Sequence, residues 1–289
     1  MKAAPFDYHA PETVAEAAGL LADFGDEAKV LAGGQSLLPM LALRLTRFEH
    51  LVDVTRVPEM QGISANGSLR IGAATPQSVA EHDATVAAAS PLVARAIPYI
   101  GHFQIRNRGT VGGSIAHADP ASELPAVALA LDATLEVASA SGAREIAATD
   151  FFEGTWSTTL ADDEILVGVR FPVWTGRCGY AVREIARRSG DFAIAGVATA
   201  VQLDDADRIA KVAIGVFGVA STPVRAGAAE AALVGNSGAA LADAAQVGAA
   251  EIAYVDDLHA TGAYRRRVTT HLVQTAVDAA IQEASGVRA

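Results

Sequence analysis

Apolar residues recur at helical spacing at Val14, Ala17, Ala18, Leu21 and Phe24, the face of a helix that opens after Pro11-Glu12-Thr13 and ends at Gly25. Thr13 and Glu16 fit a capping box at its start. The pattern then changes to short apolar runs. Lys29–Ala32 and His50–Val54 read as buried strands, separated by a segment Leu37–Leu45 whose Pro39 falls in a first turn. Residues 1–57 therefore read as a small α/β lobe.

A larger lobe follows over residues 58–176. Leu69–Gly72 reads as a strand after the Asn66-Gly67 turn signal, and Ala74-Thr75-Pro76 opens a helix toward His82. Ala87–Ile97 reads as one helix, and Leu124–Leu131 is apolar enough for a buried one. Ala133–Ala138, Glu145-Ile146 and Glu164–Phe171 read as strands, the last stopped by Pro172; Phe151-Phe152 begins a helix or turn. From residue 177 the texture differs. Tyr180–Ala186, Ala195–Leu203 and Val212–Val219 read as three strands, with Asp204–Asp207 an exposed acidic turn. Three helices, Val224–Leu233, Ala239–Ile252 and Gly262–Glu283, complete an α+β arrangement of sheet and helical layer. Arg265-Arg266-Arg267 reads as a solvated helix face, with a subunit contact as the alternative.

Composition narrows the class. A chain of 289 residues can bury a large core and hold two domains. Its net charge of −11 argues against nucleic acid and anionic membrane surfaces as partners. A single cysteine, Cys178, excludes an internal disulfide framework and a Cys-ligated iron–sulfur cluster held by this chain alone. No stretch approaches the roughly 20 apolar residues of a membrane span, and the N-terminus carries no secretory pattern, so a cytoplasmic protein is expected.

The candidate chemistry lies in two glycine motifs. Thr110–Pro125 reads TVGGSIAHADPASELP, with Gly112-Gly113 flanked by the hydroxyls of Thr110 and Ser114. A tight glycine turn with free N–H groups and little side-chain bulk can hold phosphate oxygens. One such pair alone reads as an ordinary turn before a core helix. Residues 29–38, KVLAGGQSLL, repeat the chemistry with Gly33-Gly34 and the polar tips of Gln35 and Ser36. Neither is a P-loop or a Rossmann fingerprint. Two such turns, far apart in one chain, suggest a diphosphate gripped from two sides. Arg106 and Arg108, just before the second motif, read equally as a solvated loop or as charge balance for that diphosphate. No zinc motif, hydrolase elbow or distinct acid–base pair is visible, so no catalytic residue and no metal ligand is assigned. A bound cofactor must then supply the reactivity.

AGGQSLLPMLALR (Ala32–Arg44), QIRNRGTVGGSIAHADPASELPA (Gln104–Ala126) and RRSGDFAIAG (Arg187–Gly196) together resemble the FAD-binding medium subunit of the molybdenum hydroxylases, the xanthine and carbon monoxide dehydrogenase group. The resemblance runs from Pro5-Phe6-Asp7-Tyr8 to Tyr264-Arg265-Arg266-Arg267, essentially the whole chain. It implies the two-lobed FAD-binding fold of the vanillyl-alcohol oxidase (PCMH-like) type over residues 1–176, and a C-terminal three-stranded sheet with helices over 177–289. It implies noncovalent FAD, with Ala32, Gly33, Gly34, Gln35, Ser36 and Leu37 and with Thr110, Val111, Gly112, Gly113 and Ser114 at the diphosphate through backbone N–H groups. Ala118 belongs to the same cofactor-binding stretch. The resemblance places Glu123, or Asp119, at the ribose or ribityl hydroxyls and Leu166 near the adenine or ring edge. It puts Arg183, Arg187 or Asp191-Phe192 close to the flavin, with Phe192 either stacked on the isoalloxazine or part of the core.

The implied activity is electron transfer. A large subunit would carry the molybdenum cofactor and a small subunit two [2Fe–2S] clusters; FAD on this chain would pass electrons to an external acceptor. A dimer of such heterotrimers is implied. The absence of extra cysteines disfavours the hydroxybenzoyl-CoA reductase branch, whose inserted loop holds a [4Fe–4S] cluster. A free-standing flavin oxidoreductase of the same fold and a non-catalytic nucleotide-binding scaffold stand as alternatives.

Overall fold

The structure is a computed structural model that describes residues 2–238 and 240–286. The first lobe comprises β1 (Asp7–His9), α1 (Val14–Phe24), β2 (Ala28–Leu31), α2 (Leu37–Ala42) and β3 (His50–Asp53). Its strands are parallel in the order β1-β3-β2. Parallel neighbours need crossovers, which α1 and α2 supply. Thr13 Oγ1 accepts the Glu16 N–H at 3.1 Å, while the Glu16 carboxylate takes the N–H of Glu12 at 2.8 Å, one residue before the expected box position. β1 was not apparent in the sequence, because its three residues are polar or half-polar and only lightly buried.

The second lobe comprises β4 (Ile63–Ala65), β5 (Ser68–Gly72), α3 (Gln77–His82), α4 (Ala84–Ala89), α5 (Pro91–Ala96), α6 (Phe103–Arg106), α7 (Val111–His117), α8 (Glu123–Ala130), β6 (Thr134–Ser139), β7 (Gly142–Ala147), β8 (Phe152–Gly154), β9 (Ser157–Thr158) and β10 (Ile165–Pro172). β4-β5-β10-β6-β7 is an antiparallel sheet with β10 at its centre. The single helix expected over Ala87–Ile97 is broken. Pro91 forces Ser90 out of the helical region, to φ −145° and ψ 77°, so two short helices meet there. Phe151-Phe152 leads into the small β8–β9 hairpin rather than a helix.

The C-terminal part comprises β11 (Arg177–Ile185), β12 (Ala195–Leu203), β13 (Ile209–Phe217), β14 (Val224–Arg225), α9 (Gly227–Leu233), α10 (Leu241–Ala250) and α11 (Gly262–Ala284). The sheet has four strands, not three. Val224–Arg225, expected as the start of a helix, instead pairs with β13 opposite Val216 and Gly215. The expected start of the next helix at Ala239 lies outside the described residues.

The register sorts this sheet into two faces. Ala181, Val197, Val212, Ile214 and Val216 face a core shared with α9, α10 and α11. Tyr180, Val182, Ala198, Ala200 and Ala213 face the opposite way and join the core of the second lobe, where α8 lies over β12 and β13. Every residue of α8 is buried. Burying a side chain of Leu or Val size stabilises by roughly 1.5–3 kcal/mol, so α8 is a strong tie between the two parts. Within the arginine run, Arg266 and Arg267 are solvated, but Arg265 is only 3% exposed and pairs with Asp257 at 2.7 Å.

Candidate functional site

The two glycine motifs meet. An added Cβ on Gly33 would overlap the Arg108 carbonyl oxygen and lie 2.6 Å from the Gly109 Cα. A Cβ on Gly113 would lie 3.2 Å from the Cβ of Ala32. The backbone after β2 and the backbone entering α7 are therefore in van der Waals contact at positions where only glycine fits.

Their N–H groups are used differently. Among the described residues, no hydrogen bond within the protein engages the N–H of Gly33, Gly34, Gln35, Ser36 or Leu37. Gly34 takes φ +71°, so the loop turns through a left-handed residue and leaves a run of unused donors, the form of an anion-binding nest. Gln35 Nε2 donates to the Gly33 carbonyl at 2.9 Å and braces the turn. Ser36 precedes the first turn of α2, which begins at Leu37.

The second motif is not the sharp turn expected from its glycines. It is the start of α7, with Thr110 as N-cap accepting the Gly113 N–H at 3.0 Å. The N–H groups of Val111 and Gly112 go to the carbonyls of Thr75 and Ala73, and that of Ser114 to Thr110. Gly112 does not have positive φ; glycine is required because a Cβ would overlap that of Ala73 and lie 2.5 Å from its Cα. Ala73 is held in turn by the Val167 carbonyl, freed at the bulge between Leu166 and Gly168 in β10. Leu166 is buried on that strand.

Ala118 closes α7 at φ +52°, and its carbonyl accepts the Trp156 N–H at 3.2 Å. The Asp119 oxygens are both occupied, by the Ala121 N–H at 2.9 Å and by Trp156 Nε1 at 3.1 Å. His117 stacks on Trp156 with centroids 6.1 Å apart, and burial pushes its imidazole below the ordinary value against the pull of Asp119. Glu123 opens α8 at 7% exposure, with no hydrogen bond from another side chain among the described residues. Burial, with Glu184 and Asp119 adding to it, pushes its carboxyl up to about 8.

The segment between β11 and β12 closes the other side. Gly190 has φ +83°, and a Cβ there would lie 2.6 Å from the His102 ring. Arg187 lies 3.9 Å from Asp191. Phe192 is 67% exposed, which removes the reading of this side chain as core. The Gly218 N–H donates to the Pro120 carbonyl at 2.7 Å, fastening the C-terminal sheet beside the loop between α7 and α8. Arg183 is not brought to this place. It shares a strand face with Ala181, on the side of α11, and stands in an open cleft with Tyr99 and Ala279. The two arginines before the second motif also separate. Arg106 forms a bidentate pair with Glu81 at 2.7 and 3.1 Å and donates to the Ile100 carbonyl, so it is a structural staple and not part of a solvated loop. Arg108 is exposed and has no ion-pair partner among the described residues.

Sequence reasoning missed two residues around this place: Trp156 and Glu184. Glu184 alone carried a signal, an acid in the register of Tyr180 and Val182 on a strand face that is otherwise apolar. Among the described residues, no cluster of His, Cys, Asp and Glu could hold a metal, and no helix is long and apolar enough to cross a membrane.

Residues 4–174 match the family model of the FAD binding domain in molybdopterin dehydrogenase, and residues 180–280 match that of the CO dehydrogenase flavoprotein C-terminal domain. The carbon monoxide dehydrogenase medium chain of Hydrogenophaga pseudoflava is 37% identical over 95% of this chain and 96% of its own length. The 6-hydroxypseudooxynicotine dehydrogenase complex subunit alpha of Paenarthrobacter nicotinovorans is 38% identical over 98% and 97%. Among solved structures, a chain of the H. pseudoflava carbon monoxide dehydrogenase lacking the molybdenum-pyranopterin moiety superposes with a TM-score of 0.95 at 38% identity, covering 98% of this chain and 99% of that one. Quinoline 2-oxidoreductase from Pseudomonas putida 86 gives 0.92 at 34% identity, with 99% of both chains covered.

Proposed function

The chain belongs to the FAD-binding medium subunits of the molybdenum hydroxylases, and on that premise we propose that it is the electron-transfer flavoprotein subunit of a heteromeric dehydrogenase of this kind. It is an oxidoreductase subunit whose cofactor is FAD, with the molybdenum cofactor on a large partner subunit and the iron–sulfur clusters on a small one. Bound FAD supplies the electron-accepting chemistry. We further propose two domains, 1–176 and 177–289, a pairing of two heterotrimers, an external electron acceptor and a cytoplasmic setting.

The observation that carries this reading is the run of five unused N–H groups at Gly33–Leu37, packed against a second motif that has no side-chain bulk. Such donors suit the oxygens of a diphosphate. The second motif contributes room and a fixed backbone more than donors, since its first-turn N–H groups are engaged internally. Exposed Arg108 balances charge beside it. Glu123, with free acceptor capacity, meets the cofactor hydroxyls; Asp119, engaged by Trp156, orients the loop. Leu166 would lie near the adenine or the ring edge. Asp191 and Phe192 cover the flavin, and an exposed aromatic ring is suited to stacking there. Nothing in the binding scheme uses a covalent attachment, so acid precipitation should release the flavin.

The test is anaerobic. The isolated chain, loaded with FAD, should be yellow and reducible by dithionite, yet stay oxidised when mixed with the substrate that reduces the complete enzyme. Rapid bleaching by that substrate would replace this reading with a free-standing oxidoreductase. A chain that binds no flavin would replace it with a scaffold. Purification from the host should recover the large and small subunits with it; recovery as a monomer, with those subunits present and intact, counts against the assembly.

A further inference from the structure

Glu184 has no place in the scheme above, and its surroundings call for one. It lies on β11 directly opposite Gly196 of β12. The Phe217 ring fills the space over Gly196, which a Cβ there would invade. Ala126 of α8 packs with Phe217, and Glu123 is one helical turn before Ala126 on the same face of α8. Glu123 and Glu184 therefore border one buried layer between α8 and the sheet, beside the flavin-binding loop. Glu184 Oε2 is buried there without a hydrogen-bond partner.

Among the described residues, no cation pairs with Glu123 or Glu184. Glu123 is the only ionisable residue of α8, and β12 has none. Arg95 of α5 is held by Glu283 and the Tyr180 carbonyl, and the Tyr99 hydroxyl donates to the Val182 carbonyl. Lys211 of β13 sits at the far end over Trp174, and Arg183 points to the α11 side. In the neighbouring loops, Asp119 is engaged by Trp156, Arg187 lies near Asp191, and His102 rests on Gly190. A buried carboxylate without a cation is costly, and two in one layer disfavour each other's ionisation.

We propose that Glu184 is a positioning residue of the cofactor site: near neutral pH it shares the buried layer with Glu123 so that the two together carry at most one negative charge, and in its protonated form it offers a hydrogen-bond donor to polar atoms of the bound flavin. The proposal rests on the FAD reading above. Burial pushes the Glu184 carboxyl up to about 7, in keeping with a proton held near neutral pH. At alkaline pH the donor is lost, and a second negative charge appears beside a cofactor that already carries a charged diphosphate.

The experiment uses the full chain, as wild type, Glu184→Gln, Glu184→Ala and, as an exposed control, Glu145→Gln. Infrared spectra of the flavin-free protein between pH 6 and 9.5 read the carboxylic-acid carbonyl band, and fluorescence titration reads the FAD dissociation constant at each pH. In the wild type we expect a protonated-carboxyl band at pH 7 that titrates away as pH rises, and about a tenfold loss of FAD affinity between pH 6.5 and 9. Glu184→Gln keeps a donor, so it should bind FAD within about threefold of wild type at pH 7, diminish the band and flatten the pH dependence. Glu184→Ala should bind more weakly at every pH, and Glu145→Gln should match wild type. The proposal is overturned if the band at pH 7 is the same in Glu184→Gln, or if that variant retains the wild-type pH dependence. A wild-type chain that shows the band but binds no FAD at any pH overturns the cofactor-facing role and the FAD reading together, leaving only a buried acid pair.

Discussion

Gly33→Ala isolates the close approach of the two motifs from every other property of the site. The added methyl overlaps the Arg108 carbonyl oxygen and lies 2.7 Å from the Arg108 carbonyl carbon and 2.6 Å from the Gly109 Cα. All three are backbone atoms, so no rotamer change relieves the overlap. Gly33 does not have positive φ, so the cost is steric and not conformational. Overpacking of this kind costs about 1–3 kcal/mol. For a chain of this size each kcal/mol moves the melting temperature by about 2–4 °C, which gives a drop of roughly 2–12 °C. The same displacement carries the Gly33–Leu37 donors away from α7, and FAD affinity should fall about tenfold or more. The control is Gly19→Ala, in the middle of α1 with nothing within 4 Å of the added carbon. It removes a helix-interior glycine and should stabilise by about 0.5–1 kcal/mol without touching FAD. Thermal melts of the flavin-free protein and fluorescence titration with FAD measure both quantities. A Gly33→Ala chain that melts with wild type and binds FAD normally would refute the reasoning, because the two motifs could then not be in the contact described.

The buried acids make stability depend on pH. The folded-state carboxyl of Glu123 is raised from 4.5 to about 8 and that of Glu184 from 4.5 to about 7, chiefly by burial in each case. Their contribution is therefore fully present below about 4.5 and is lost as pH rises through 7 and 8. Urea midpoints of the flavin-free wild type should fall between pH 5 and 9, and Glu123→Gln should reduce that fall; a flat wild-type profile contradicts the assignment. Arg106→Ala strands Glu81 in a site where both side chains are largely covered, and should cost about 3 kcal/mol in denaturant unfolding. Arg108→Ala removes an exposed, unpaired charge. It should leave stability within about 0.5 kcal/mol and weaken FAD binding instead, so equal effects of the two variants would show that the arginines had been given the wrong roles. Asp257→Asn leaves the buried Arg265 without its charged partner and should destabilise by about 3 kcal/mol, against a negligible change in Arg266→Ala.

Long runs with one period were legible in the sequence. The stripe of α1, the wholly apolar α8 and the alternating strands β12 and β13 declare themselves because tertiary context reinforces local preference along their whole length. The misread places are short. β1 and β14 are three and two residues long and owe their extended form to one neighbouring strand, a partner that no local window contains. The break at Ser90 was written in Pro91 but outweighed by the helical alanines around it.

The two glycine pairs show where a motif stops being informative. Both read as the same device, a turn with free donors. In the fold the first is that device, with Gly34 left-handed and five N–H groups unused. The second is a helix start whose donors are spent on Ala73, Thr75 and Thr110. The difference comes from the cap: Thr110 can close the first turn of α7 with its own hydroxyl, whereas Ser36 makes no side-chain capping bond to α2. Gly112 is then required by Ala73, about 40 positions earlier in the chain, and Gly113 by the capping hydroxyl of Thr110, with the Cβ of Ala32 also close. Glycine spacing records that something must come close at both motifs. Whether that neighbour is a ligand oxygen or the protein's own backbone is decided by where the N–H groups point, and that depends on residues outside either motif. The same reasoning separates Glu123 from Asp119. Asp119 lies in the loop after α7 and Glu123 opens α8 just beyond it, but Trp156, brought there by the β8–β9 hairpin, engages Asp119 and leaves Glu123 free to meet a ligand.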